Sequence, residues 1–594
     1  MPVKRHSLAP NTLMWILLSA WGVLNLLQAG FTELADDEAY YWYFSQHLDW
    51  GYFDHPPMVA ALIWLTRWMG GELGVRLAAL LQQPIGLYLF WTLVRPAEAT
   101  RRDVWVYFLA CFSMPMLQLY GFLALPDAPL LFFTVVFLWA FRRFCDHDNW
   151  GNTLLMAVTM ALLMYSKYHG ALVIIFALCS CLRLFRSPRL YLSVLLAVLL
   201  YIPHLWWLYT HDFVSLQYHL VDRVNDAGFD FGDLAGYLLI LLVAFNPLWL
   251  YHYGKASAAW WRESPTGFRR TLFFVLGGFV LFFLLASLRD NTQAQWLLPA
   301  NFALVALLCD AARSSDRSFR YIRTTAAATA LLVVAVRLAV VLPAVPLKGE
   351  LCNNKARNTA LATLADGRPV LFMQDYTASC KYRFYTGGQA YTLPYLYGRD
   401  SQWRYDDSDD SFKGRDVLVC LDENPYADTL LLPDGSLLEY LAVPDFMPMR
   451  KVWMIPAEPL CDTLDEHGTT AVRLLVYNPY DYDIHSTDET PLWITFTYRV
   501  SQRVQPEINF PLTDTLHARR GVPDTVCLPL PASKLPAPGE YTYGFSLRQQ
   551  RLRSCLNSER RQMRVERQGG RLVVGEAHRR TFHHHQPKPF TTGQ

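Results

Sequence analysis

The chain has 594 residues, of which 53% are hydrophobic and only 18% charged, with 19 Trp, 32 Tyr and 35 Phe. That balance argues against an ordinary soluble enzyme and suits a polytopic membrane protein with a sizeable soluble part. A net charge of +2 gives no general attraction to nucleic acid, and no such partner is expected.

Crossing the hydrocarbon takes about 20 residues of helix. Eleven apolar stretches approach that length: residues 12–31, 74–94, 103–122, 126–141, 152–168, 170–183, 190–209, 233–252, 271–288, 295–311 and 324–346. The fourth, fifth and sixth are short or crowded together. The first has the basic start and apolar run of a signal peptide. It leads directly into QAGFTEL with further spans behind it, so a retained helix is expected.

The loops alternate in charge. With the amino terminus on the cytoplasmic side, Arg95, Arg101 and Arg102, then Arg142 and Arg143, then Arg183, Arg186 and Arg189, then Lys255, Arg262, Arg269 and Arg270, then Arg313, Arg317, Arg320 and Arg323 share that side. Opposite them lie segment 32–58, the LPDAP turn at 125–129, SKYHG at 166–170, loop 210–232 and RDNTQAQ at 289–295. An odd number of crossings places everything after residue 346 outside the cytoplasm. The expected location is a bacterial inner membrane with periplasmic carboxy-terminal domains.

Segment 34–58, LADDEAYYWYFSQHLDWGYFDHPPM, is the most informative part of the chain. Asp36, Asp37, Glu38, Asp49 and Asp54 are interleaved with aromatic side chains directly after the first span. Charge so near a membrane exit is costly, which points to a polar active site roofing the membrane domain. The three leading acids could also simply initiate a helix, whose amino terminus favours negative charge.

Beyond the spans, residues 347–450 carry short apolar runs such as RPVLFM and DVLVCL and are read as an extracytoplasmic α/β domain. Residues 451–566, with AVRLLVYN, LWITFTYRV and GEYTYGFSL, are read as β-sandwich-like, and residues 567–594 as a disordered basic tail. Six cysteines, Cys352, Cys380, Cys420, Cys461, Cys527 and Cys555, fall in this region. In an oxidising compartment the sequence neighbours Cys352 with Cys380 and Cys527 with Cys555 are the preferred pairs, the alternative being small buried thiols.

The string DDEAYYWYFSQHLDWGYFDHPPM, together with LPDAPLLFF, SKYHG and NTQAQWLLPA, resembles the bacterial GT-C membrane glycosyltransferases of the protein O-mannosyltransferase and lipid A aminoarabinose transferase superfamily. The resemblance covers about the first 345 residues. It implies a mainly α, GT-C-like transmembrane catalytic domain over 1–346 with about 11 helices. It also implies an inverting transfer of sugar from a polyprenyl phosphate donor to a protein, lipid A or surface-glycan acceptor on the outer face. The family's first-loop base corresponds to Asp37, with Glu38 beside it and Asp36 as an extra neighbour, so the choice between Asp36 and Asp37 stays open. Its second acidic loop residue corresponds to Asp127, which could equally cap the following helix.

The chemistry asks for the same parts. An acceptor hydroxyl must give up a proton as it attacks, and the departing lipid phosphate needs cationic or hydrogen-bonding partners. His55, Lys167, His169 and Arg289 are the candidate phosphate clamp, each also readable as an interfacial anchor. His55 departs from the aminoarabinose transferases, which carry Lys before the Pro-Pro pair, and supplies charge only when protonated. Tyr40, Tyr41, Asp54 and Gln295 are candidates for sugar or acceptor binding. Asp54, His55, His169, His204 and His211 lack a recognised metal-ligand spacing, and no metal or other cofactor is expected. A transporter or assembly protein for lipid-linked glycans is the alternative. It fits less well because the polar groups gather at one face instead of midplane.

Overall fold

The computed structural model describes residues 8–147, 149–219, 231–262, 267–289, 291–341, 349–422, 424–465, 467–500, 506–519, 521–549 and 551–576. The end of the tail beyond 576, residues 220–230 of loop 210–232 and the boundary at 346 lie outside them. The chain divides into two compact units, Met1–Asn354 and Lys355–Gln594.

The first unit is helical. Its helices are α1 (Pro10–Phe31), α2 (Asp36–Gln46), α3 (Met58–Thr66), α4 (Gly71–Val94), α5 (Arg101–Phe112), α6 (Pro115–Leu119), α7 (Asp127–Asp146) and α8 (Trp150–Ser166). They continue as α9 (Gly170–Cys179), α10 (Pro188–Thr210), α11 (Val214–Gln217), α12 (Phe231–Ala244), α13 (Leu250–Arg262), α14 (Phe268–Ala286), α15 (Ala300–Ser314) and α16 (Asp316–Val341). Local chemistry sets several ends. Thr100 and Asp103 close a reciprocal capping box on α5, and the Asn149 side chain accepts from Asn152 N–H at the start of α8. Pro115 separates α5 from α6, because the residue before a proline is pushed out of helical conformation.

Each of the eleven expected spans falls on helix. By length and composition, six are able to cross a membrane: α1, α4, α7, α10, α14 and α16. The pair α12 and α13, bent by 72° at the Asn246-Pro247 break, makes a seventh if counted as one span. The others are shorter than a full crossing or interrupted, as α9 with 10 residues and α5 with 12 illustrate. The core of this unit is aromatic and aliphatic, with Trp91, Phe90, Tyr107 and Phe302 buried together.

The second unit carries two kinds of sheet, preceded by α17 (Asn354–Ala365). The first is formed by β1 (Val370–Met373), β2 (Ala390–Leu393), β3 (Val417–Cys420), β4 (Asp428–Leu431) and β5 (Leu437–Val443) in the order β2-β1-β3-β5-β4. Strand β1 is parallel to both neighbours, and α18 (Tyr376–Thr386) makes the crossover to β2. Next come β6 (Trp453–Pro456), β7 (Asp462–Leu464), β8 (Thr469–Tyr477), β9 (Leu492–Arg499), β10 (Glu507–Pro511), β11 (Asp524–Pro531), β12 (Gly539–Gln549), β13 (Arg561–Gln568) and β14 (Arg571–Glu576). They form a six-stranded sheet, β10-β9-β12-β13-β14-β7, and a three-stranded sheet, β11-β8-β6. Val472, Leu474 and Val476 of β8 share one core with Ile494 and Phe496 of β9 and Phe545 and Leu547 of β12.

Two expectations are corrected. The sheet runs past residue 566, because Gly569 and Gly570, at φ 57° and 85°, turn β13 back into β14 through Glu576. All eleven cysteines are free thiols. Cys527 is exposed on the outward positions of β11, and Cys380 is buried inside α18, its thiol donating to the Tyr376 carbonyl at 3.1 Å.

Candidate active site

The acidic segment folds as helix α2, a loop at 47–57, and helix α3. Glu38 turns back on its own helix start, accepting from the Ala35 N–H at 3.1 Å. Arg76 of α4 meets the same carboxylate through Nε at 2.8 Å and Nη2 at 2.5 Å, and both side chains are 0% exposed. The remaining guanidinium protons go to the carbonyls of Ala29, Thr32 and Glu33. Ala124 N–H donates to Glu38 Oε1 at 2.9 Å. One sealed ion pair therefore joins the end of α1, the start of α2, the second turn of α4 and the loop ahead of α7. Glu38 has no lone pair left facing a substrate.

Asp37, one residue earlier, is exposed at the first turn of α2, where the helix dipole favours a carboxylate. Asp36 is half-buried and its N–H donates to Glu350 Oε2 at 3.3 Å. Asp127 opens α7 and Lys167 follows α8. Lys167 Nζ reaches both carboxylate oxygens at 2.7 and 2.8 Å, with side-chain exposures of 7% and 6%. Lys167, expected in the phosphate clamp, is thus committed to Asp127.

Tyr41 gathers the acids. Burial, followed by the charges of Asp37, Asp54 and Asp127, holds its pKa well above the ordinary 10. Its hydroxyl therefore stays protonated and keeps a proton to donate. His55 packs edge-on against Tyr41 with ring centroids 5.5 Å apart, and lies 6.1 Å from His219. Tyr40 points into the core and packs on Phe44 at 4.5 Å.

The loop that presents Asp54 and His55 is fixed to α10 and α11. Tyr52 donates to the Phe44 and His47 carbonyls and stacks on Phe44 at 4.2 Å. Trp207 donates to Asp49 at 2.8 Å, His204 Nδ1 to the Trp50 carbonyl at 2.7 Å, and Ser215 to the Tyr52 carbonyl at 2.8 Å. His219 Nε2 donates to the Asp54 carbonyl at 2.9 Å. Gly51 lies flat against the Trp207 indole, where a Cβ would collide with the ring.

The remaining expected residues have the following contacts and exposures. His169 stacks on Phe283 of α14 and lies 5.6 Å from Trp296. Gln295 is half-buried and donates to Gln293 at 2.7 Å. Arg289 is exposed at the end of α14. Among the described residues, no three His, Cys, Asp or Glu side chains are grouped to hold a metal ion.

Arg76, Tyr120 and His219 are additions to the sequence reading. Arg76 was discoverable as a lone charge within an apolar span. Tyr120, ahead of the LPDAP turn, is within electrostatic reach of both Asp127 and Asp37. His219 has no sequence signal and enters only through the chain's return from α10.

A bundle of long apolar helices roofed by an acidic juxtamembrane helix, and followed by a β-rich unit, defines a multi-pass membrane protein with the GT-C fold. Residues 54–207 match the dolichyl-phosphate-mannose-protein mannosyltransferase family. Two curated relatives come from Rhizobium johnstonii. The lipid A galacturonosyltransferase RgtD is 26% identical over 221 residues, 36% of this chain and 46% of the relative. The lipopolysaccharide core galacturonosyltransferase RgtA is 28% identical over 211 residues, 32% and 41% of the two chains. The chain therefore spans less than half the length of either relative. Among solved structures, ArnT from Cupriavidus metallidurans bound to undecaprenyl phosphate superposes with a TM-score of 0.53 at 15% identity, covering 72% of this chain and 97% of that one.

Proposed function

We propose that this protein is an inverting membrane glycosyltransferase that moves a sugar from a polyprenyl phosphate to an acceptor at the outer face of a bacterial inner membrane. The observation that carries the reading is the contrast in exposure within the acidic pair: Glu38 is buried against Arg76, while Asp37 beside it is solvent-exposed. Asp37 takes the proton of the acceptor hydroxyl as that oxygen attacks the anomeric carbon from the face opposite the phosphate. Asp36, half-buried, flanks the base, and Glu38 positions it. Asp127, neutralised by Lys167, and the Tyr41 hydroxyl orient acceptor and sugar, while Asp54 holds the His55 turn.

The lipid phosphate leaves toward the outer loops that carry His55 and Arg289, and His169 and Gln295 are the further candidates on the outer loops. This arrangement calls for no metal ion or other cofactor: a carboxylate base and a cationic clamp supply what the reaction needs. The galacturonosyltransferase relatives favour a lipid A or core glycolipid acceptor over a protein. The alternation of basic loops supports placing the β-rich unit in the periplasm.

Mass spectrometry of lipid A, core oligosaccharide and envelope proteins tests the assignment in cells carrying wild-type protein, no protein, or Asp37→Asn. Loss of the same sugar from the deletion and the variant supports it and names the acceptor. A deletion phenotype fully rescued by Asp37→Asn rejects it in favour of transport or assembly.

A further inference from the structure

At the opposite end of the bundle, among the arginine-rich loops, lies a cavity of about 790 Å³. Arg95, Arg142, Arg183, Arg269 and Arg270 line it, against only Asp146 and Asp310 among the described acids. Arg142 is 3.9 Å from Asp146 and Arg269 3.0 Å from Asp310. Arg183 and Arg270 have no carboxylate partner among the described residues, and Arg270 lies over the Phe274 ring. The cavity thus keeps a surplus of positive charge at its rim.

Its interior is different. Phe141, Trp260 and Leu272 are buried walls, and the Ser180 and Thr271 hydroxyls meet at 2.9 Å. Guanidinium groups above an apolar wall match an amphiphile with an anionic head, since the planar fork binds phosphate oxygens two at a time. Basic pockets between membrane helices on this side of a bilayer suit lipid headgroups.

We infer that this cavity binds the phosphodiester headgroup of an anionic phospholipid from the leaflet facing the arginine-rich loops. Helix α7 runs from Asp127 to the cavity wall at Phe141, Arg142, Cys145 and Asp146, and its 20 residues span about 30 Å. The lipid site is therefore separate from the acidic site, at the far end of a shared helix. The ends of α4, α9 and α13, the start of α14 and the later turns of α15 close around the same headgroup.

The test uses the full chain in nanodiscs of phosphatidylcholine with added phosphatidylglycerol, counting retained lipid by native mass spectrometry. Wild-type protein should retain phosphatidylglycerol preferentially, and an Arg183→Gln/Arg270→Gln variant should retain it roughly tenfold less. Thermal unfolding in phosphatidylcholine alone should be unchanged, which separates lost binding from lost folding. Should the double variant unfold, Arg183→Gln alone carries the comparison, because that side chain is exposed. Equal retention by wild type and variant overturns the inference. Displacement of the lipid by inorganic phosphate overturns the lipid assignment in favour of a soluble anion.

Discussion

Arg76 and Glu38 close a two-pronged ion pair, at 2.8 and 2.5 Å, in which neither side chain reaches solvent. Removing one partner of such a pair strands a buried charge. Arg76→Met or Glu38→Leu should each destabilise the membrane unit by about 3–5 kcal/mol. The double Arg76→Met/Glu38→Leu change should recover part of that loss. Thermal unfolding of the purified variants measures both, and additive losses would show that the pair does not act as a unit.

Lys167 and Asp127 should behave as one element. Lys167→Met and Asp127→Asn should each reduce transfer by about a hundredfold through misplacement of the orienting carboxylate. The double variant should be no slower than the slower single variant. Initial transfer rates in membranes check this; multiplicative losses would mean that Lys167 acts on the phosphate independently.

Tyr41→Phe removes a buried hydroxyl that lies in the electrostatic field of Asp37, Asp54 and Asp127. As the proposed donor to acceptor or sugar, that hydroxyl is worth about 1.5–3 kcal/mol to the reaction, so transfer should fall about tenfold to a hundredfold. The folded pKa lies above the ordinary 10, so the stability this group supplies is complete below pH 10 and is lost as pH climbs toward the folded value. Alkaline unfolding should therefore be less steep in Tyr41→Phe than in wild type, with the two profiles parallel below pH 10.

Gly51→Ala places a methyl group against the Trp207 ring. Overpacking of this kind costs about 1–3 kcal/mol and shifts the turn that carries Asp54 and His55. Donor affinity should weaken together with a change in tryptophan fluorescence. Wild-type affinity in a folded Gly51→Ala protein would detach this loop from donor binding.

The acidic segment, the basic loops and the apolar spans were legible because membrane insertion writes itself into local composition. The sequence put Asp37 and Glu38 side by side, but nothing local distinguished them. Their opposite exposures depend on Arg76, 38 residues away along the chain, and on the Ala124 amide. Lys167 likewise read as a free cation because its carboxylate partner is 40 residues distant. Strand β14 escaped notice because it falls after residue 566, in the stretch read as a solvated basic tail, although the Gly569-Gly570 pair marked the turn. Helices α5 and α6 read as one span because a five-residue helix leaves little periodic signal.

The most direct measurement compares donor binding with single-turnover transfer in Asp37→Asn and wild-type protein, both reconstituted in lipid with a polyprenyl-phosphate sugar. Loss of a general base should lower the transfer rate by about 10²–10⁴-fold while leaving donor affinity unchanged. Transfer at close to the wild-type rate by Asp37→Asn would contradict the assignment of Asp37 as the base.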